Sequence, residues 1–355
     1  MTFMKRIDPS LLMTRAVVFN NPQEVVLDRL PIAAPSDDDV IVDIDFSGIS
    51  TGTEKLLWDG TMPKFPGMGY PLVPGYESIG RVIAAGSNQE QLVGERVFVP
   101  GATCYGEVKG LFGGASSRIT IPAVRVTALH SDELADDARS DAYLDVLVAA
   151  RPTLLALAAT AHHMLVVAGL DAISPHIKSG SDSKSDAPSH LIVGHGVLGR
   201  LLARILVAKG FASPRVWEIN EARTNGALGY QVSNPNDDPK RNYQKIWDVS
   251  GDSQIIDQLV GRLAPSGMII LGGFYNQALN FAFAPAFMRE AQIRIAAQWQ
   301  PADLIAVTDL LATNRLSLAG LITHQTEPSK AADAYRTAFG DTSCLKMILD
   351  WRHCS

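Results

Sequence analysis

His190 to Asn220 reads HLIVGHGVLGRLLARILVAKGFASPRVWEIN. The apolar run Leu191-Ile192-Val193 leads into Gly194-x-Gly196-x-x-Gly199, and Leu201, Leu202, Ile205 and Leu206 then recur at helical spacing, which predicts strand, tight turn and helix. Gly194 allows the turn, Gly196 lets a pyrophosphate approach the backbone, and Gly199 lets the helix pack on the strand. Phosphates would then meet the positive end of the helix. The next apolar segment, Arg215-Val216-Trp217, ends at Glu218. A carboxylate there accepts from both ribose hydroxyls of NAD and repels the 2′-phosphate of NADP, so NAD is the predicted cofactor. Arg223, one helical turn on, weakens that preference without reversing it.

A chain of 355 residues is long for one core and predicts two domains. With 46% apolar and 19% charged residues, it has the composition of an ordinary globular protein. A formal net charge of −6 and the lack of a basic stripe exclude nucleic acid as a partner. Cys104, Cys344 and Cys354 are too few and too scattered for a disulfide framework or a zinc knuckle, which fits a reducing cytoplasm. The longest apolar region, Thr153 to Leu170, is interrupted by His162 and His163 and reads as a buried helix, so no integral membrane segment is expected.

Upstream of the glycine loop, AVVF, EVVLDRL and VIVDIDF alternate as short strands with turn residues between them. GISTGTEKLLWDG turns helical around Glu54 to Trp58. The proline-rich TMPKFPGMGYPLVPGYE is extended, and SIGRVIAAG and Ser117 to Ile121 read as further strands, with the β region ending near His130. Asp132 to Asp141 and Asp171 to Ser189, the latter carrying Lys178 and Lys184, read as exposed connections. Downstream, βα alternation continues: a strand at Lys245 to Val249, a helix at Ser253 to Leu263, and a buried strand at Gly267 to Gly273. A strand at Gln292 to Gln298, helices at Ala302 to Thr313 and Pro328 to Phe339, and a last strand at Leu345 to Trp351 follow.

Three pieces around the loop carry a resemblance: Gly75-Tyr76-Glu77, GGASSRITIPAVRVTAL after it, and Thr160-Ala161-His162-His163. In this order they are similar to the medium-chain dehydrogenase/reductase superfamily across almost the whole chain. The resemblance implies an α/β chain: a GroES-like β domain over 1–154, a doubly wound Rossmann domain over 155–301, and a segment, 302–355, that returns to the first domain. Alcohol dehydrogenases of the family hold a catalytic zinc through two cysteines and a histidine, and by alignment those positions are Ser50, Tyr76 and Ala156. None suits zinc, and the structural-zinc lobe keeps only Cys104, so a metal-free protein is expected. SGISTGTEKLLWDG and FPGMGYPLVPGYE resemble the branch acting on (bacterio)chlorophyllides. That implies NAD-dependent oxidation of a tetrapyrrole's 3-hydroxyethyl group to acetyl. A zinc-independent quinone or enone reductase using NAD(P)H, and a nucleotide-binding pigment carrier without turnover, remain alternatives. A homodimer is expected through the family alone, and contact with the photosynthetic membrane stays open.

Removing hydride from a secondary alcohol requires that its hydroxyl proton be taken away, and without a metal a side chain or water relay must accept it. Tyr76 is the candidate partner or acceptor, with Lys55 or His163 lowering its pKa or relaying the proton. The competing reading is that Tyr76 fills a vacant metal site and that His162 and His163 are hydrogen-bonded core histidines. Glu77 is expected to pair with a buried base, and Glu54 either to join the site or to cap its helix. Ser50, Trp58, Phe65, Tyr70, Phe274 and Trp299 are candidates for the flat macrocycle, and Lys64, Lys109 or Arg118 for a propionate. Carry-over from the family adds Thr160, Val197, Leu198, Gly272, Gly273 and Lys346 to the cofactor set.

Overall fold

The computed structural model describes residues 8–64, 66–129, 142–171 and 189–354. The chain divides into two compact units, Met1–Ala156 with Ala319–Ser355, and Leu157–Leu318. The first unit opens with the antiparallel pair β1 (Met13–Asn21) and β2 (Glu24–Pro31), then β3 (Asp39–Ile49), whose Val40, Ile41, Val42 and Phe46 are buried. The helix α1 (Thr53–Asp59) follows, then β4 (Leu72–Val73), β5 (Ser78–Ala85), β6 (Arg96–Val99), β7 (Lys109–Gly110), β8 (Arg118–Pro122), β9 (Thr127–Ala128) and α2 (Ala142–Ala150).

Helix α3 (Leu155–Val167) leads into the second unit, a six-stranded sheet of β10 (His190–Val193), β11 (Arg215–Trp217), β12 (Gln231–Ser233), β13 (Tyr243–Asp248), β14 (Leu263–Leu271) and β15 (Gln292–Ile295). Every pairing is parallel, in the order β12-β11-β10-β13-β14-β15. The chain therefore winds outward in both directions from β10. The crevice at the carboxyl ends of β10 and β13 is where a sheet of this topology accepts ligands. Helices α4 (Val197–Ala208), α5 (Ile256–Val260), α6 (Phe283–Met288) and α7 (Pro301–Ala312) complete this unit. On α4 the apolar positions read from the sequence, Leu201, Leu202, Ile205 and Leu206, are all fully buried.

The returning segment forms β16 (His324–Thr326), α8 (Ala331–Gly340) and β17 (Met347–Asp350), and it completes a seven-stranded sheet, β16-β17-β3-β5-β6-β9 with β8 on β3. The return comes later than the expected 302, because α7 belongs with the second unit. Asp303 on α7 bonds both histidines of α3, and Arg315 just beyond it donates to the Ala208 carbonyl at the end of α4. Helix α5 is much shorter than Ser253 to Leu263. Arg262 donates to the Asp238, Lys240 and Pro235 carbonyls, and the next strand starts at Leu263. The strand expected to reach Gln298 stops at Ile295, and Pro328–Lys330 forms a 3-10 turn before α8. Asp132 to Asp141, Lys178 and Lys184 lie outside the described residues.

Candidate active site and cofactor cradle

The glycine loop of the second unit has the stereochemistry its spacing predicts. Gly194 has φ +104°, in the region that favours glycine. A Cβ at Gly199 would lie 2.0 Å from the Gly194 carbonyl oxygen, whereas one at Gly196 would meet nothing within 4 Å. Helix α4 begins at Val197 and Leu198 with Gly196 as its N-cap and no side-chain cap, so its first amides face the open side of the loop. At the end of β11 the Glu218 carboxylate accepts from the backbone amides of His195, Ile219 and Asn220 at 3.1, 2.9 and 2.8 Å. Beside it is a cavity of about 590 Å³ lined by residues including Glu218, Ile219, Thr224, Val232 and Asn234.

His195, within the glycine loop, carries a role the spacing alone does not reveal. It is fully buried, its Nδ1 lies 2.6 Å from the Arg223 carbonyl, and its Nε2 lies 2.8 Å from the Tyr230 hydroxyl. Burial, assisted by the positive Arg200, lowers its pKa to about 4. The neutral ring therefore donates from Nδ1 and accepts at Nε2. Arg200 Nε donates to the His195 carbonyl and its Nη2 to the Arg223 carbonyl. The turn carrying Arg223 is thus fastened to the loop that carries the cofactor motif. At the end of β13, Asp248 accepts from Ser250 and, at 2.7 Å, from the Tyr275 hydroxyl, while its carbonyl accepts from the amides of Gly272 and Gly273.

In the first unit, strand register assembles a buried polar cluster. Pairing of β17 with β3 sets Met347 opposite Ile49, and pairing of β3 with β5 sets Ser47 opposite Ser78. Lys346, Ser50 and the Tyr76-Glu77 pair are therefore neighbours at adjoining strand ends. The Glu77 side chain lies over Gly48, where a Cβ would come within 2.4 Å of its Oε2. Lys346 Nζ donates to Glu77 at 2.5 Å and to the Ile49 carbonyl at 3.2 Å. This bears out the expected base for Glu77. It also gives Lys346, 1% exposed, a different partner from the pyrophosphate implied by the resemblance. Ser50 Oγ shares a hydrogen bond with the Tyr76 hydroxyl, and the Tyr76 ring meets Phe112 edge-on at 5.4 Å. Glu54 does not cap its helix, whose N-cap is Gly52. It accepts from the Ser50 amide at 3.1 Å and the Tyr335 hydroxyl at 3.0 Å.

These surroundings change the part Tyr76 can play. Burial, and then the negative charge of Glu77, push its hydroxyl well above the ordinary tyrosine value, so it remains protonated at neutral pH. The Lys55 ammonium pairs with Asp59 one turn along α1 at 2.5 Å. His163 Nδ1 lies 2.9 Å from Asp303, which also binds His162 Nδ1 at 2.8 Å. His162 Nε2 accepts from Lys209 at 3.2 Å, and burial lowers the pKa of this histidine. The core-histidine reading therefore describes both rings. Trp58 packs on Phe339 with ring centroids 5.5 Å apart, and Tyr70 donates to the Leu57 carbonyl. Both serve the first core, as do Met62 and Met68. Arg118 grips Asp43 with two nitrogens, while Lys64 and Lys109 are exposed. In the second unit Phe274 is 46% exposed, and Trp299 and Thr160 are half-buried. Phe65 lies outside the described residues.

Residues 36–131 match the family model for the alcohol dehydrogenase GroES-like domain. A 2-desacetyl-2-hydroxyethyl bacteriochlorophyllide A dehydrogenase from Rhodobacter capsulatus is 49% identical over 340 residues, 96% of this chain and 98% of that protein. One of the same description from Cereibacter sphaeroides is 47% identical over 344 residues, covering 96% and 98%. The chain belongs to the bacteriochlorophyllide a dehydrogenases of the medium-chain dehydrogenase/reductase superfamily. Its fold is shared by a short chain alcohol dehydrogenase from Escherichia coli CFT073 solved with NADH, at TM-score 0.75 and 20% identity over 95% of this chain and 99% of that one. 2R,3R-butanediol dehydrogenase from Bacillus subtilis, at TM-score 0.73 and 17% identity, covers the same shares. Ser50, Tyr76 and Ala156, the positions that the resemblance aligns with zinc ligands, hold two hydroxyls and a methyl group. Among the described residues no group of three or more His, Cys, Asp or Glu is placed to hold a metal, and no helix is long and apolar enough to cross a membrane.

Proposed function

We propose that the protein oxidises the 3-(1-hydroxyethyl) group of a bacteriochlorophyllide to acetyl, with NAD as hydride acceptor and without zinc. The observation carrying this reading is the 49% identity, over nearly the whole chain, to a dehydrogenase named for that substrate. Zinc does not fit the donor set: a serine hydroxyl, a tyrosine held in its protonated form and an alanine offer no thiolate or imidazole. NAD fits the glycine loop, because the open side of Gly196 and the amides of α4 accommodate a diphosphate and Glu218 faces the ribose position. When bound, NAD supplies the nicotinamide that takes the hydride.

The remaining work falls to side chains. Tyr76 orients the carbinol by a hydrogen bond, and the Ser50–Tyr76 pair relays the carbinol proton to solvent water, each hydroxyl accepting one proton as it releases its own. No phenolate is needed, which suits a tyrosine whose ionisation is opposed by burial and by Glu77. Mixing the protein with NAD and the hydroxyethyl pigment is expected to shift the macrocycle's absorbance as NADH forms. Tyr76→Phe should lower kcat/KM about 10- to 100-fold, the range for one lost hydrogen bond in the transition state. Reduction of simple quinones with no reaction on the pigment would overturn the assignment.

The preference for NAD rests on Glu218. Three backbone amides fix this carboxylate, and a 2′-phosphate at the ribose would face its charge. Steady-state kinetics should show NAD favoured over NADP, and Glu218→Gln, which keeps an acceptor and removes the charge, should cut that ratio by at least about tenfold. An unchanged ratio would exclude Glu218 as the discriminator. We also propose a homodimer through β15. All four of its residues are exposed and among the described residues it pairs only with β14, while Phe283, Phe287 and Met288 of the preceding helix α6 are exposed as well. Light scattering should return the mass of two chains, and Ile295→Lys the mass of one.

A further inference from the structure

Two carboxyls and one ammonium are buried together in the first unit, and their charges do not balance. Glu54 and Glu77 are 0% exposed and Lys346 is 1% exposed. Lys346 binds Glu77 directly, whereas the hydrogen-bond partners of Glu54 among the described residues are neutral, the Ser50 amide and the Tyr335 hydroxyl, and Lys346 reaches it only through space. A fully buried carboxylate with no cation bound to it directly is costly, and a group in that position holds a proton instead. The 3.0 Å contact with Tyr335 serves both states. The phenol donates to the carboxylate, and the carboxylic acid donates to the phenol oxygen.

We propose that Glu54 is a positioning residue that holds one exchangeable proton behind the Ser50–Tyr76 pair and sets, through its charge, how readily that pair draws the proton from the substrate's carbinol. This rests on the alcohol-oxidising reading above. Ser50 joins the two halves, its amide on Glu54 and its hydroxyl on Tyr76. An anionic Glu54 favours a proton entering the pair, and a neutral one does not. The groups facing Glu54 are Glu77 ahead of β5, Lys346 ahead of β17, Tyr335 on α8 and Ser50 after β3, with Tyr76 also within reach of its charge. Burial, and then repulsion by Glu77, push the Glu54 carboxyl up to about 8. The exchange therefore falls in an accessible range.

Infrared difference spectra of the protein without substrate, titrated between about pH 6 and pH 10, read the proton directly. The wild type should lose a protonated-carboxyl band with a midpoint near 8, the value to which Glu54 is pushed. The band should be absent in Glu54→Gln, and its midpoint should move upward in Tyr335→Phe, which removes a donor to the charged form. In parallel, kcat/KM for pigment oxidation should rise about tenfold through the same midpoint in the wild type and stay flat at the lower value in Glu54→Gln. That is less than the 10²–10⁴ lost with a group that transfers the proton itself. A band that survives in Glu54→Gln, or vanishes in Glu77→Gln while Glu54→Gln keeps it, overturns the proposal, as does an unchanged pH rise in Glu54→Gln. If the wild type leaves the pigment untouched, the alcohol-oxidising reading fails on its own. The infrared band then decides alone whether Glu54 holds the proton.

Discussion

Lys346→Met is expected to lower the free energy of unfolding by about 3–5 kcal/mol, the cost of leaving a buried charge without its partner. Lys346 and Glu77 are among the least exposed charged residues described, and the ammonium also satisfies the Ile49 carbonyl. Burial already raises the Glu77 carboxyl against the pull of Lys346, and removing Lys346 raises it further. The native state of the variant then keeps a proton that the unfolded chain has released above its ordinary carboxylate value. Its stability should accordingly fall as pH rises from that value through the folded one. Urea unfolding followed by circular dichroism at two pH values reads both effects. Adding Glu77→Gln should recover most of the loss and remove the pH dependence, because no charge is left to bury and the amide offers N–H groups to the polar atoms nearby. A single variant as stable as the wild type would mean that the pair contributes nothing to the first unit.

That ion pair also marks the boundary of what the amino-acid order reveals. The glycine loop was legible because its signal is local: Gly194, Gly196 and Gly199 sit between one strand and one helix, and each spacing has a steric reason. That Glu77 would need a base was foreseeable from its apolar surroundings. That the base is Lys346, 269 positions away, was not, since it depends on the register of β17 against β3. The same separation hid Tyr335 from Glu54. His195 could have been singled out, because a histidine between two glycines of a cofactor loop has to be buried or to face the ligand, but its partners Arg223 and Tyr230 come from later turns. The partner of Lys55, by contrast, was legible locally, because Asp59 lies one helical turn away and an i,i+4 carboxylate holds a flexible ammonium. The return of the chain to the first unit was placed too early because nothing in the order of α7 ties it to either unit, whereas Asp303 bonding to α3 and Arg315 to the end of α4 assign it to the second.

Two substitutions in the glycine loop should have opposite consequences, and their contrast tests the cofactor assignment. At Gly196 the backbone angles, φ −73° and ψ −171°, suit any residue, and a Cβ would project into open space. Gly196→Val is therefore expected to leave the melting temperature within a few degrees of the wild type while lowering NADH affinity at least about 100-fold, since its methyl groups fill the space a diphosphate needs beside the α4 amides. At Gly199 a Cβ would meet the Gly194 carbonyl oxygen at 2.0 Å, a backbone atom that cannot move without displacing the turn. Gly199→Ala should thus cost stability first, about 1–3 kcal/mol as for other overpacked sites, and cofactor only as a consequence. Calorimetric titration with NADH and thermal unfolding of both variants separate the two. If Gly196→Val binds NADH as the wild type does, the diphosphate does not lie at this loop. A stable Gly199→Ala would mean that the helix does not need the close approach its glycine allows.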